Sequence, residues 1–375
     1  MPYWRLSGFY FFYFASLGAL IPYWGLFLKS LDFSAAAIGT MMATIMATKI
    51  ISPNIWGWVA DHTGKRMAIV RLGGLLSVLA FTGVFISHQY WWLIVVMMLF
   101  SFFWNATLPQ FEATTFTHLG DDTHRYSSVR LWGSIGFIVA VWIIGQQLEG
   151  AKISYLPFVL MGLFISIWFS SLIVPENAAA HVHIDHEPLK NVLKRPEVMG
   201  LLVICFLMQM GHGPYYTFYS IYMQDYGYSL SFIGFLWALG VFAEVLIFMM
   251  MHKLVPKFGL KKLLITSLLL AAVRWVIIAF FPVSMPLMVF AQVLHAASFG
   301  VYHAVAIQLV HHYFIGKHQG KGQALYSSVS FGAGGALGSL YAGYTWESIG
   351  TTTTFMIAAF ISLVAAYIAY KKIPA

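Results

Sequence analysis

Five charged side chains interrupt long apolar segments of this 375-residue sequence: Lys49, Glu112, Arg130, Glu244 and Arg274. A charge inside an apolar helix is costly unless it faces a partner or a water-filled cavity. A carboxylate that loses its water is driven towards protonation, and a nearby cation opposes this change. Side chains of this kind can therefore bind and release a proton, or hold a charged ligand, as their surroundings change.

The second half of the sequence places three titratable or charged groups at similar depth. Glu244, Arg274 and His295 each lie about eight to twelve residues from an end of their apolar segment, so we expect all three near the middle of a membrane. His295 can relay a proton or orient Glu244, because imidazole titrates near neutral pH. A structural ion pair that only fixes helix packing is the alternative interpretation.

The segments around these residues are predicted membrane spans. Hydrophobic residues make up 60% of the sequence and charged residues only 9%, whereas soluble domains carry about 25% charged residues. Apolar stretches of about 20 residues, the length that crosses a bilayer, recur along the chain. The twelve predicted spans are 4–28, 36–60, 67–87, 91–116, 129–148, 153–174, 198–223, 230–252, 262–281, 285–311, 324–345 and 351–370. The aromatic first span lacks a small-residue cleavage site, so it is expected to stay in the mature protein.

The net charge of +8 indicates topology and not a nucleic-acid partner. The twelve-span arrangement puts 16 of the 21 Lys and Arg residues on the side of both termini, and only Lys29 and Lys152 on the other side. By the positive-inside rule, both termini are predicted to be cytoplasmic.

The longest polar segment divides the spans six and six. The predicted domains are an N-terminal six-helix bundle over residues 1–174, a cytoplasmic linker over 175–197 and a C-terminal six-helix bundle over 198–375. The linker holds a cluster whose spacing matches no closed zinc site, so no metal is expected there. Its members are His181, His183, Asp185 and His186.

The two halves carry the same signals at matching positions. A shift of 195 residues aligns Ser34 with Ser229, the IG string at 38–39 with the IG string at 233–234, and Gly64 with Gly259. The same shift places Lys49 on Glu244. A shift of 200 residues aligns the YSSV string at 126–129 with the YSSV string at 326–329. Internal duplication of a six-span bundle explains both sets of matches.

The loop between the second and third spans reads GWVADHTGKR over residues 57–66. It resembles the G-x-x-x-D-x-x-G-[RK]-[RK] loop of the major facilitator superfamily. The resemblance implies two six-helix bundles that give alternating access to a central site. It also implies a conformational latch made of five residues: Gly57, Asp61, Gly64, Lys65 and Arg66. The counterpart loop has Pro256 in place of the acid, so the latch is expected in the first half alone. The alternative is that Lys65 and Arg66 only anchor the topology.

Glu112 and Arg130, 18 residues apart, are similar to the acid and arginine that bind sugar in lactose permease-type proton symporters. The order of that group's coupling residues is also kept by three later residues: Glu244, Arg274 and His295. Ser298 stands where those permeases carry their proton-carrying glutamate. The resemblance therefore implies Glu244 as first candidate for the proton carrier and Glu112 as second. A purely structural pairing of Glu112 with Arg130 is the alternative.

Across the chain, the sequence also resembles the phenylpropionate permease branch of the superfamily. The strings that carry this similarity are VRLWGS (129–134), YYTF (215–218), LGVFAEV (239–245), VRW (273–275) and QVLH (292–295). The branch implies uptake of an aromatic monocarboxylate across a bacterial inner membrane. The implied energy source is the proton gradient, with no other cofactor.

An aromatic acid needs an ionic clamp and a ring-sized apolar slot. The expected polar contacts of the substrate are Lys49, Arg130 and Glu112. The aromatic candidates are Tyr23, Trp24, Tyr215, Tyr216, Tyr219, Trp237 and Tyr326. Further polar candidates in spans seven and ten are Gln209, His212, Gln292, His303 and Gln308. Packing is the alternative role for each, because rings also face lipid and amides also bond between helices.

Other classes of protein have little support. The glycine run at residues 332–338 lies within a span, where it permits close helix approach, and it lacks a phosphate-loop context. No metalloprotease or catalytic serine motif is present, so an enzyme is not expected. The prediction is an all-α membrane transporter that acts as a monomer on a small organic solute and protons. A sugar or nucleoside symporter, a drug or solute exporter and a non-transporting sensor are the alternatives.

Overall fold

The computed structural model describes residues 1–120, 122–149, 153–176, 189–315 and 318–374, and these residues form an all-helical fold without strands. Twelve long helices, numbered α1 to α12, overlap the twelve predicted spans. Their bounds are α1 Tyr3–Ser30, α2 Ala35–Thr63, α3 Arg66–Phe81, α4 Tyr90–Leu119, α5 Tyr126–Gln147, α6 Leu156–Leu172, α7 Pro196–Asp225, α8 Leu230–Phe258, α9 Leu260–Phe280, α10 Met285–Tyr313, α11 318–348 and α12 Thr351–Lys372. A short helix, Leu189–Leu193, lies within the predicted linker.

Eleven of the described helices are each long and apolar enough to cross a membrane. The remaining one, α11, consists of three consecutive helical segments: His318–Ser327, Ser328–Gly334 and Gly335–Ser348. Each segment alone is too short to span a bilayer, but joined end to end they are long enough. The chain is therefore a multi-pass membrane protein, and the predicted all-α twelve-helix fold is confirmed.

Some sequence-based interpretations concern residues outside the described ranges. They are the lysines Lys152 and Lys317 and the linker cluster of His181, His183, Asp185 and His186.

The predicted repeat is visible in α2 and α8. Both helices have 29 residues, and their first residues are 195 positions apart. Ser34 and Ser229 each accept a hydrogen bond from the backbone nitrogen three residues later, at 3.3 Å and 3.1 Å. Gly64 and Gly259, which follow the two helices, have positive φ angles of 66° and 75°. Glycine tolerates this conformation without strain. Both helices are therefore preceded by a capping serine and followed by a glycine with positive φ.

The helices form two compact units. Unit 1 holds α1 to α6 and the first turns of α8 (Ser229–Ala238), and unit 2 holds α7, the rest of α8 and α9 to α12. Within unit 1, α1 packs on α5 and α6, while α4 packs on α2 and α3. Within unit 2, α12 packs on α7 and α9, α11 on α7, and α10 on α9. Each helix satisfies its own backbone groups, as hydrocarbon requires, so these contacts are made by side chains and glycines.

Glycines allow close helix approach in both units. In unit 1, a Cβ atom on Gly18 of α1 would lie 2.7 Å from the Phe137 carbonyl oxygen of α5. In unit 2, a Cβ atom on Gly338 of α11 would lie 2.7 Å from the Met210 carbonyl oxygen of α7. Gly338 belongs to the glycine run at 332–338, which therefore serves helix packing as predicted.

Three helices of unit 2 depart from regular α geometry. Helix α7 is interrupted at His212, and π-helical turns occur at Ala296–Gly300 in α10 and Ser328–Gly334 in α11. Such turns re-aim side chains and are frequent at functional sites. His295 immediately precedes the π turn of α10, so two histidines lie at backbone irregularities.

Gly18→Ala should destabilise the protein, because the added methyl group meets backbone atoms of α5 and overpacking costs roughly 1–3 kcal/mol. Gly162→Ala on α6 is the matched control, since no atom lies within 4 Å of its added Cβ atom. Alanine is the better helix former, so this control should be at least as stable as the parent. Thermal unfolding of the detergent-solubilised protein checks both. Equal unfolding midpoints for the two variants would contradict the close contact.

Candidate functional site

Arg274 lies at the centre of a buried polar network in unit 2. Its side chain has no exposed surface. The guanidinium donates from Nε to the Ala291 carbonyl oxygen at 2.9 Å and from Nη2 to Gln292 Oε1 at 3.4 Å. It also lies 4.1 Å from the centre of the Tyr215 ring, and the Tyr215 hydroxyl donates to Gln292 Oε1 at 2.9 Å. Helices α7, α9 and α10 thus hold one cation through hydrogen bonds and a cation–π contact.

His295 connects Arg274 to Glu244. Arg274 Nη1 lies 3.0 Å from His295 Nδ1. A guanidinium can only donate, so Nδ1 accepts and the ring proton resides on Nε2. His295 Nε2 faces Glu244 Oε2 at 3.7 Å. The three predicted coupling residues are therefore ordered as cation, imidazole and carboxylate, and Arg274 selects the tautomer that points a proton at Glu244.

Two glycines bring α8 and α10 close enough for this contact. A Cβ atom on Gly300 of α10 would lie 3.1 Å from Glu244 Cγ, and one on Gly240 of α8 would lie 3.4 Å from Gln292 Oε1. Gly300 also ends the π turn that follows His295. Ser298 lies within this turn and donates its hydroxyl to the His295 carbonyl oxygen at 3.3 Å. His295 therefore lies beside an irregular and closely packed segment of backbone.

Several buried side chains of unit 2 have a polar atom without a hydrogen-bond partner among the described residues, and three of them belong to the predicted polar candidates. In these three the atoms are Nε2 of Gln209, Nε2 of His212 and Nε2 of Gln292. His212 Nδ1 lies 2.8 Å from the Met208 carbonyl oxygen and must donate to it, which leaves a lone pair on Nε2. Buried polar atoms of this kind are rare and call for a water or ligand partner. Together they offer amide donors and one acceptor.

Glu112 and Arg130 meet in unit 1. Arg130 Nε lies 4.0 Å from Glu112 Oε1, and Tyr126 donates its hydroxyl to the same oxygen at 3.2 Å. The side chains of Arg130 and Glu112 remain 30% and 36% exposed. This pair is long and partly solvated, so a ligand can compete for either charge.

Aromatic rings of α1 flank the Arg130 guanidinium. Its central carbon lies 3.7 Å from the centre of the Phe14 ring and 5.7 Å from that of Tyr10. The absence of a side chain at Gly133 permits this arrangement, because a Cβ atom there would lie 2.6 Å from Arg130 Nη1. Tyr10 is held by donating its hydroxyl to Thr115 Oγ1 at 3.1 Å. Unit 1 thus combines a cation, a carboxylate and ring faces.

Lys49 lies half-buried on α2. The residue before it, Thr48, donates to Ser101 Oγ at 2.9 Å and accepts from Asn105 Nδ2 at 2.9 Å. Both partners belong to α4. Hydrogen bonds between membrane helices fix their rotation. Because Thr48 bonds α4, the adjacent Lys49 lies at the edge of the α2–α4 interface.

The predicted aromatic contacts of α7 and α11 lie in unit 2. Tyr215 belongs to the Arg274 network, and the rings of Tyr216 and Tyr219 are centred 5.4 Å and 4.9 Å from its ring. On α11, Tyr326 Oη lies 2.9 Å from Nδ1 of His303 on α10. Phe299 of α10 links the two groups of rings, because its ring is centred 6.4 Å from that of Tyr216 and 5.8 Å from that of His303.

The predicted aromatic contacts of α1 lie apart from the Glu112–Arg130 pair. Tyr23 is about 20 Å along α1 from Tyr10 at 1.5 Å per residue, and its hydroxyl donates to the Val141 carbonyl oxygen at 2.6 Å. Trp24 is fully buried against Phe81, with ring centres 5.9 Å apart. The structure therefore does not bring Tyr23 or Trp24 next to this charged pair. The remaining aromatic candidate, Trp237, is buried in the first turns of α8.

The predicted loop at residues 57–66 is mostly helical, because α2 continues to Thr63 and α3 begins at Arg66. Gly64 is the left-handed C-cap of α2, and Arg66 Nη2 lies 3.4 Å from Oδ1 of Asp61 in the last turn of α2. Asp61 is 69% exposed. Lys65 is exposed at the N-cap of α3, and Gly57 faces Gln110 of α4. The five latch candidates thus lie at one helix junction, and their conformational role stays a prediction.

Sequence reasoning did not select four aromatic residues around Arg130 and Glu112: Tyr10, Tyr13, Phe14 and Tyr126. A signal was present, because residues 10, 13 and 14 recur at spacings of three and four and so share a helix face. The first span contains so many rings that this spacing does not stand out. Among the described residues, no group of His, Cys, Asp and Glu side chains is arranged to hold a metal ion.

Two repeated six-helix sets with buried charges define the class of a secondary transporter of the major facilitator type. The chain belongs to the MFS_1-like family, whose pattern it matches over residues 3–357. It is therefore a membrane transporter and not an enzyme, as predicted.

Individual relatives span nearly the whole chain. The sequence is 27% identical over 378 residues to the probable 3-phenylpropionic acid transporter of Escherichia coli K12, covering 97% of this chain and 96% of that protein. It is 26% identical over 357 residues to the maltose permease of Geobacillus stearothermophilus, covering 90% and 86%. A crystal structure of a mutant of the nucleoside transporter NupG matches with a TM-score of 0.87 over 99% of both chains, at 16% identity. At that identity, the structural likeness establishes the fold.

Loss of Arg274 alone should destabilise the protein more than its loss together with Glu244. Arg274→Gln leaves the buried carboxylate and imidazole without their cation, and breaking a buried pair in this way costs about 3–5 kcal/mol. Glu244→Gln in the same chain removes the uncompensated charge. Unfolding midpoints of both single variants and the double variant check this as a double-mutant cycle. Lys262→Gln, at the exposed end of α9, is the control and should leave the unfolding midpoint unchanged. If the stability losses of the two single variants simply add in the double variant, Arg274 and Glu244 are not coupled.

Proposed function

We propose that the chain imports a small organic acid together with protons, with an aromatic monocarboxylate such as phenylpropionate as the first candidate substrate. The observation that carries the proposal is the placement of His295 between Arg274 and Glu244. A purely structural ion pair needs no titratable ring between its charges. The similarity to the probable 3-phenylpropionic acid transporter of Escherichia coli supports the substrate class.

Glu244 is the proposed proton carrier. When ionised, it is stabilised by the Nε2–H group of His295, whose orientation Arg274 fixes. When protonated, it is neutral and tolerates apolar surroundings. Burial favours the neutral form and contact with water favours the ionised form, so alternating access can load the proton on one side and release it on the other.

Arg130 is the proposed clamp for the substrate carboxylate. Its 4.0 Å contact with Glu112 is weak enough to be displaced, and arginine binds carboxylates through two parallel hydrogen bonds. Phe14 and Tyr10 supply the ring faces beside it. Lys49, in the same unit, adds a second positive charge, and protonation of Glu112 would remove the competing anion.

A neutral sugar or nucleoside is the second candidate substrate. It is favoured by the unpartnered Nε2 atoms of Gln209, His212 and Gln292, because hydroxyl-rich solutes supply both donors and acceptors. The maltose permease and the nucleoside transporter NupG, which this chain resembles, are consistent with such a solute. A thermal-shift screen of aromatic acids, sugars and nucleosides separates the two candidates. Thermal stabilisation by sugars or nucleosides, without stabilisation by aromatic acids, would overturn the proposal that the substrate is an aromatic acid.

Glu244→Gln should abolish accumulation of labelled phenylpropionate driven by a pH gradient while preserving exchange with preloaded substrate. The amide cannot carry a proton, but it keeps the shape and hydrogen-bonding capacity of the side chain. Uptake into proteoliposomes measures both activities. Glu347→Gln, an exposed position at the end of α11, should retain both. Gradient-driven accumulation by Glu244→Gln would eliminate Glu244 as the carrier.

Lys49→Ala and Arg130→Gln should each weaken binding of phenylpropionate far more than binding of its neutral amide. A hydrogen bond to a charged group contributes about 1.5–3 kcal/mol, which corresponds to roughly a tenfold to hundredfold change in Kd. Titration of the purified variants, followed by tryptophan fluorescence, provides the constants. Equal losses for acid and amide would assign a structural role to the cation concerned.

A further inference from the structure

The start of α8 is held by a carboxylate that follows α5. Glu149 Oε2 accepts hydrogen bonds from the backbone nitrogen of Ser231 at 2.9 Å and from its hydroxyl at 2.6 Å. Ser231 lies in the first turn of α8, where backbone N–H groups have no partner within the helix. Glu149, just after the end of α5, therefore caps the N-terminus of α8. This end of both helices lies on the membrane face opposite the chain termini.

Close backbone packing continues inwards from this cap. A Cβ atom on Gly145 of α5 would lie 3.3 Å from Gly234 Cα and 2.8 Å from the Leu230 carbonyl oxygen of α8. The Tyr23 hydroxyl, which bonds the Val141 carbonyl oxygen, would lie within 2.7 Å of a Cβ atom on either glycine. Neither position has room for a side chain, so α8 lies directly on α5 here.

The same helix has different neighbours further along. From Leu239 onwards α8 belongs to unit 2, where Gly240 and Glu244 contact α10. Its first turns belong to unit 1. Any displacement of the first turns of α8 from α5 must therefore break their contacts with Glu149, Gly145 and Tyr23.

We propose that Glu149, Ser231 and the Gly145–Gly234 contact form a proton-sensitive clasp, which keeps this end of α8 on α5 and opens when Glu149 is protonated. The role of the clasp in transport rests on the alternating access proposed above. Glu149 is exposed at the edge of the contact, so protons reach it directly from the water on that face. The site thus couples proton concentration on one side of the membrane to the position of α8.

The hydrogen bonds to Glu149 set the sign of the pH dependence of the clasp. The hydrogen bonds from Ser231 hold the pKa of the Glu149 carboxyl below its ordinary value. The closed clasp is therefore stabilised above the ordinary carboxyl range, and this stabilisation is lost as the pH falls through the lowered pKa. Residues 141–148 of α5 and 230–238 of α8 contain no ionisable side chain. Helix α1 contributes Tyr23 to the contact and carries Lys29 in its last turn, and the α1–α2 turn on this face carries Asp32.

The test measures opening without any substrate. Leu230 is 5% exposed, so Leu230→Cys should react with a maleimide only when the clasp opens, and native Cys205 has no exposed surface. In this background Glu149→Gln should speed labelling about fivefold at neutral pH, as expected for loss of one partly solvated charged hydrogen bond. Glu347→Gln removes an exposed carboxylate on the same face and should leave the rate unchanged. As the pH falls, the rate ratio between Glu149→Gln and its parent should approach one, because the parent carboxylate becomes neutral.

Equal labelling of Glu149→Gln and its parent at neutral pH would overturn the clasp, as would a ratio independent of pH. Hydrogen exchange of the backbone amides at 230–234 provides a second measurement if Leu230→Cys does not fold. In the chain without the reporter, Glu149→Gln should speed this exchange about fivefold, and unchanged exchange would also overturn the proposal. Both measurements omit substrate, so a failed transport assay and a failed clasp are distinguishable.

Discussion

A guanidinium with no exposed surface must find acceptors inside the protein, and this requirement of Arg274 organises unit 2. Three helices contribute to its surroundings: α7 provides the Tyr215 ring, α9 the arginine itself and α10 the acceptors. A fourth helix, α8, joins through Glu244 and the His295 ring. Since removing one partner of a buried charge leaves the other uncompensated, the relative positions of these helices are tied to one another. The π turn after His295 and the glycines at 240 and 300 allow the backbone to meet this constraint.

The charged pair of unit 1 is held much more loosely. Arg130 and Glu112 approach only to 4.0 Å and keep about a third of their surface exposed. A compact network that fixes a tautomer suits proton transfer, whereas a long and hydrated pair suits exchange with a ligand. The repeat places a cation, Lys49, in the first half where the second half carries Glu244. Duplication thus preserved the helices while the chemistry of the two halves diverged.

The divergence also reaches the helices themselves. α2 and α8 have equal length, equivalent serine caps and equivalent terminal glycines. All of α2 lies in unit 1, whereas α8 belongs to unit 1 in its first turns and to unit 2 thereafter. Gly145 and Gly234 explain the difference, because they let the start of α8 rest on α5. Local signals therefore define where a helix starts and ends, but contacts with other helices define the unit to which each part belongs.

The sequence by itself determined the class of fold, the number of helices, the starts of α2 and α8, and which charges lie within helices. These features are local, since they follow from apolar length, cap residues and the cost of charge in hydrocarbon. Only the tertiary structure decided that Arg274 reaches Glu244 through His295, that Phe14 flanks Arg130, and that Tyr23 bonds α5 far from that pair. In spans that are apolar on every side, periodicity does not reveal which face meets which neighbour. Helix rotation and the close approach permitted by glycines choose the partners, and both depend on residues distant in the sequence.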